Sequence, residues 1–205
     1  MGLFELVSKG TPLEIQAAID QGEDVNAQDK GGRTVLMWAA EGNQNSEVII
    51  TLLKAGADIN AQDELFGTTP LMCAAESNQN PEVITTLLKA GADIKARDKD
   101  GLTALMLAAG NNQNPEVITT LLKAGADIKT QSKAGFTALM WAAEYNPNPE
   151  VITTLLKAGS DEKAKSNEGK TAFDYAKANE KLKGTDAYRK LQEASKVSEK
   201  GQLGR

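Results

Sequence analysis

The string NQNPEVITTLLKAGADIK, eighteen residues long, occurs at Asn78–Lys95 and again, unchanged, at Asn112–Lys129. A near copy runs from Asn146 to Asp161 and a diverged one from Asn43 to Asn60. The matching glycines are Gly22, Gly56, Gly91, Gly125 and Gly159, at steps of 34, 35, 34 and 34. A period of this size restricts the chain to architectures in which one supersecondary unit is stacked several times.

The third period shows what the unit is. Asp98-Lys99-Asp100-Gly101 reads as a β-turn, with Asp opening it and Gly closing it. Thr103 is a good N-cap for a first helix, Ala104–Gly110. Asn111-Asn112-Gln113 interrupts that helix, and Asn112 is expected in the left-handed conformation that ends many helices. Asn114 then caps a second helix, with Pro115 at its first position and Glu116 near the positive end of its dipole. Lys123 and Gly125 close it. Leu105, Ala108 and Ala109 lie on one face of the first helix, and Val117, Ile118, Leu121 and Leu122 on one face of the second. Each helix is too short to be stable alone, so the apolar faces must be buried against neighbouring units. The predicted fold is an all-α repeat solenoid of helix-turn-helix units joined by β-turn or hairpin loops.

Thr69-Pro70-Leu71-Met72-Cys73-Ala74 and Gly56-Ala57-Asp58-Ile59-Asn60-Ala61 resemble the ankyrin repeat, whose signature is T-P-L-H-x-A, a helix pair, then G-A-D-[VI]-N-A. The resemblance extends over about Leu3 to Gln192. It divides the chain into an N-terminal capping half-repeat (1–27), full repeats at 28–61, 62–96, 97–130 and 131–164, a C-terminal capping repeat (165–192) and a tail (193–205) expected to be disordered. The capping half-repeat is read as helices over Leu3–Lys9 and Pro12–Gln21. Met37, Met72, Met106 and Met140 stand where the signature has His. Met cannot make the hydrogen bonds expected of that His, so packing is expected to replace them. The second repeat carries one extra residue, with Glu64-Leu65-Phe66 between Asp63 and Gly67.

Charge and rare residues narrow the function. Residues 1–162 hold 12 basic and 22 acidic side chains, whereas 163–205 hold 11 and 6. An acidic body repels phosphate backbones, so nucleic acid is not the expected partner. There is no histidine, which removes the commonest general base and zinc ligand. A single cysteine, Cys73, permits no intrachain disulfide and is read as a small buried residue. No apolar run is long enough to span a bilayer. Patterned sequence begins at Leu3 without a signal peptide, and Leu6 departs from the myristoylation pattern that Met1-Gly2 begins. A cytoplasmic protein without cofactor or metal, monomeric when alone and not directed to membranes, is the expectation.

The resemblance implies a concave binding surface made from the first helices and the turn tips. Core positions repeat faithfully from unit to unit, while another stripe varies: Trp38 and Glu41, then Cys73 and Glu76, then Leu107 and Gly110, then Trp141, Glu144 and Tyr145. The residue after each turn glycine also varies: Arg33, Thr68, Leu102, Phe136 and Lys170. Candidate partner-binding residues are therefore Arg33, Trp38, Leu65, Phe66, Glu76, Leu102, Phe136, Trp141, Glu144 and Tyr145. Leu102, Phe136, Trp141 and Tyr145 are expected to form one patch, with acidic neighbours that favour a basic rim on the partner. Packing of Trp38 and Trp141 between neighbouring helices is an equally open reading.

The leading expectation is a non-catalytic module that binds another protein. A homo-oligomeric structural or regulatory subunit is the alternative. An enzyme using paired carboxylates such as Glu76 and Glu144 is a remote third.

Overall fold

The computed structural model describes residues 2–202, and side chains as far as Lys196. Twelve helices follow one another among the described residues: Leu3–Leu6 (α1), Pro12–Asp20 (α2), Val35–Gly42 (α3), Ser46–Lys54 (α4), Pro70–Ser77 (α5), Pro81–Lys89 (α6), Ala104–Asn111 (α7), Pro115–Lys123 (α8), Ala138–Tyr145 (α9), Pro149–Lys157 (α10), Ala172–Ala176 (α11) and Asp186–Gln202 (α12). The first is a single turn that stops short of Lys9, with the Lys9 and Gly10 N–H groups both folded back onto Leu6 O. The last continues to Gln202, so the stretch expected to be disordered from residue 193 is helical that far; residues 203–205 lie outside the described residues.

Local chemistry explains where the helices start. Thr34, Thr69, Thr103 and Thr137 each accept the N–H of the methionine three residues on, at 3.3–3.4 Å. Asn45, Asn80, Asn114 and Asn148 each accept a glutamate N–H at 3.0 Å, and three of these four helices carry Pro at the next position. Such caps satisfy donors that a short helix otherwise leaves unpaired.

Two rows of helices result. The inner row, α3, α5, α7, α9 and α11, packs more closely from unit to unit than the outer row, α4, α6, α8 and α10. Ala39–Ala40, Ala74–Ala75, Ala108–Ala109 and Ala142–Ala143 are fully buried in the inner row, and these short side chains permit the close approach. In the outer row Val48, Ile49, Leu52 and their counterparts are fully buried.

The linkers between the two helices of each unit hold a feature that the sequence reading misplaced. Asn112 is extended (φ −85°, ψ 126°), not left-handed. Its side chain is buried and donates to Ala75 O at 3.0 Å and Asn78 O at 2.8 Å, both in the preceding unit, while its own oxygen accepts the Asn114 N–H at 2.9 Å. The same arrangement recurs at Asn43, Asn78, Asn146 and Asn179. A left-handed Asn112 would aim its amide away from those carbonyls. Buried amides thus join each unit to the one before, and Met37, Met72, Met106 and Met140, at the other end of the first helices, are packed into the core, each at most 1% exposed.

A second set of rungs joins the turn tips. Glu64 N–H donates to Gly31 O, Lys99 to Phe66 O, Lys133 to Asp100 O and Asn167 to Ala134 O, at 2.7–3.1 Å.

Candidate functional site

The irregular side chains of the inner row and the turn tips form three separate groups. At the second turn, Asp63 is buried and accepts N–H bonds from Leu65, Phe66 and Thr68 at 2.7–2.9 Å. Burial alone would raise its pKa, but these donors hold the carboxylate below its ordinary value. So fixed, the tip pushes Leu65 and Phe66 outward, 63% and 64% exposed. The extra residue of this repeat is what makes the two apolar side chains protrude.

The second group centres on α3. Trp38 is half-buried and donates its indole N–H to Asp29 Oδ2 at 3.0 Å. The guanidinium of Arg33 lies 4.1 Å from the centre of the Trp38 ring, pairs with Glu41 and approaches Cys73 Sγ at 3.8 Å. Stacked and ion-paired in this way, Arg33 is internally satisfied. Glu76, on the next helix, accepts from Asn111 at 3.0 Å. Burial, then the nearby Glu41 and Asp98 carboxylates, push its pKa up.

Cys73 lies beneath this group and is 5% exposed. Desolvation lifts its thiol to about 11, against a weaker opposing pull from Arg33. The thiolate is the reactive form, so alkylation by a maleimide at pH 8 is expected to be at least on the order of a hundredfold slower in the native protein than after denaturation. Equal rates in the two states would contradict the burial described here.

The third group spans α9 and α11. Phe136 stands 5.6 Å from Trp141 and 4.5 Å from Tyr175, and Trp141 stands 5.0 Å from Tyr145, measured between ring centres. The result is a continuous row, Tyr175–Phe136–Trp141–Tyr145. Tyr175 is buried, with its hydroxyl 2.8 Å from Ser166 Oγ; Phe136 and Trp141 are half-buried; Tyr145 is 51% exposed. A Cβ at position 110 would meet Trp141 Cε3 at 3.3 Å, so Gly110 of α7 makes room for the indole. One side of the tryptophan therefore packs on the neighbouring helix, and the side chain as a whole is half-buried. Burial and the adjacent Glu144 carboxylate raise the pKa of the Tyr145 phenol.

Two expectations need correction. Leu102 is only 9% exposed, because it sits under the turn, and it drops out of the patch. Glu76 and Glu144 are not brought together as a pair, since each meets a different set of neighbours, Glu41 and Asp98 for one and Tyr145 for the other. The sequence reading also missed Tyr175 and Asp29 as members of these groups. Tyr175 was hidden in the diverged last unit, and Asp29 looked like any turn aspartate.

Among the described residues no group of three or more Cys, Asp or Glu side chains is placed to hold a metal ion. Among the same residues no helix is long and apolar enough to cross a membrane. A family model described as "Ankyrin repeats (3 copies)" matches residues 3–98, 43–132, 71–166 and 105–186, overlapping windows that together cover most of the chain. No curated protein matches it.

Proposed function

The chain belongs to the ankyrin-repeat family, whose members are generally protein–protein interaction modules, and from that premise we propose that it is a non-catalytic module holding a partner protein against the inner row and the turn tips. The observation that carries this reading is the aromatic row ending at the exposed Tyr145. Those large side chains occupy positions that the repeating scaffold leaves free, and a few such anchors supply most of the energy of a protein interface. The protruding Leu65 and Phe66 extend the same reading to the second turn. The proposed contact residues are Arg33, Trp38, Leu65, Phe66, Glu76, Phe136, Trp141, Glu144 and Tyr145. The repeat divisions at 27/28, 61/62, 96/97, 130/131 and 164/165, and cytoplasmic residence, remain part of the same proposal.

Affinity capture from the source cell tests it. Wild type and an outer-row variant, Lys89→Ala/Lys123→Ala, should retain the same partner. Phe136→Ala/Trp141→Ala/Tyr145→Ala, shown to be folded by circular dichroism, should bind it at least about thirtyfold more weakly, the effect of losing one interface anchor. Undiminished binding by the triple variant would defeat the reading.

A further inference from the structure

The same tryptophan–glutamate pair occurs twice on the inner row, and the two copies are completed differently. In α3, Trp38 gives its N–H to Asp29, and Glu41 pairs with Arg33, whose guanidinium stacks on the indole. In α9 the pair is Trp141 and Glu144. The residues that correspond in spacing to Asp29 and Arg33 are Ser132 and Phe136. Neither supplies what its counterpart does. Trp141 Nε1 and Glu144 Oε2 are both covered from solvent, and neither has a hydrogen-bond partner. Lys170 feels the Glu144 carboxylate at longer range, but it is engaged by Glu168 at 2.7 Å and lies over Tyr175 rather than Trp141.

We propose that Trp141, Glu144 and Tyr145 form a receptor site for an arginine side chain of the partner protein, in the role that Arg33 plays internally in the first full repeat. The proposal rests on the protein-binding reading above and specifies its chemistry. An incoming guanidinium stacks against the indole and ion-pairs with Glu144, whose Oε2 has no hydrogen-bond partner and whose titratable neighbours within the protein are the Tyr145 phenol and the Glu168-paired Lys170. Tyr145 is the movable wall: it is the last residue of α9, half exposed, with its ring 5.0 Å from Trp141 and its phenol beside Glu144. Its ring offers a second aromatic surface for the cation beside Trp141. The excess of 22 acidic over 12 basic side chains in residues 1–162 draws a basic partner segment toward the stack. Arginine suits the site better than lysine because its planar group can stack and pair at the same time.

The two indole N–H signals in a proton–nitrogen spectrum provide the test, since the protein has only two tryptophans and Trp38→Phe assigns them. N-acetylarginine amide should shift the Trp141 signal saturably and leave Trp38 unmoved, because the first site already holds Arg33. The uncharged isostere N-acetylcitrulline amide should bind at least about tenfold more weakly, and Glu144→Gln should lose the same factor. Phe136→Arg, which supplies a guanidinium from within, should abolish the response. Arg33→Ala should make Trp38 responsive in its turn. Equal shifts from arginine and citrulline amides, equal shifts at both tryptophans, or a response unaffected by Glu144→Gln would each overturn the proposal. If these fail while the triple alanine variant still loses its partner, the arginine site falls and the binding face stands. If the titration succeeds and the triple variant keeps its partner, the partner docks elsewhere.

Discussion

Asn112→Ala is expected to destabilise the protein by about 3 kcal/mol, because one substitution removes two buried hydrogen bonds and one part-buried one, worth about 1 kcal/mol each. Ala75 O and Asn78 O lose their buried donor and the half-buried Asn114 N–H loses its acceptor. For a chain of this size the melting temperature should fall by about 9 °C. The neighbouring Gln113→Ala, on an exposed residue of the same linker, should change stability by less than about 0.5 kcal/mol. Urea titration of the two variants checks the contrast. The loss lies at the junction of the units holding α5–α6 and α7–α8, so it should also weaken coupling along the stack. Amide exchange should then accelerate first on the two sides of that junction. A fall in stability no larger for Asn112→Ala than for Gln113→Ala would mean that the ladder contributes nothing net.

Gly135→Ala should cost about 3 kcal/mol or more, whereas Gly159→Ala should cost about 1–2 kcal/mol, the ordinary strain of a left-handed alanine. Both glycines have positive φ, 78° and 90°. They differ in what an added methyl group meets. At Gly159 nothing lies within 4 Å, so only backbone strain remains. At Gly135 the new Cβ would stand 2.5 Å from Asn167 Oδ1 and 2.7 Å from Asn167 N. The side-chain oxygen can swing aside, but the backbone nitrogen cannot without breaking its 3.1 Å bond to Ala134 O. That bond is one of the rungs between turn tips, so relief of the clash costs the contact between the fourth full repeat and the C-terminal cap. Thermal unfolding of the two variants, measured side by side, decides the matter; equal losses would show that the tip contact carries no weight.

The elements of the fold were legible where a residue acts on its immediate neighbours. Thr103 and Asn114 cap the helices they were read to cap, Pro115 starts α8, and Gly125 takes the positive φ that its place after the helix requires. Those signals are confined to a few residues, and the period shows them several times over. Asn112 was misread for the opposite reason. Its position after a helix and its amide both fit a left-handed cap, but its true partners lie 37 and 34 residues upstream. Only the spacing between stacked units brings those carbonyls within reach, and that spacing is a property of the assembled array.

The candidate site was legible in outline and obscure in detail. Variation between repeats picked out Trp38, Phe136, Trp141 and Tyr145, but it marked Cys73 and Leu107 on the same stripe as well, and these are buried. Variation could not distinguish Leu102, which is buried by its own turn, from Leu65 and Phe66, which an inserted residue pushes outward. Nor could it show that Arg33 completes the first tryptophan–glutamate pair from within, since Arg33 and Trp38 meet only when the turn folds back over α3.

Each asparagine of the buried ladder reaches one unit back and no further. Removing or duplicating one whole copy therefore leaves every remaining amide with carbonyls to meet. Pro81–Lys89, Pro115–Lys123 and Pro149–Lys157 are identical in sequence. Gain or loss of one whole unit thus lengthens or shortens the molecule in register, and a chain with a different number of units has a complete interior from the outset.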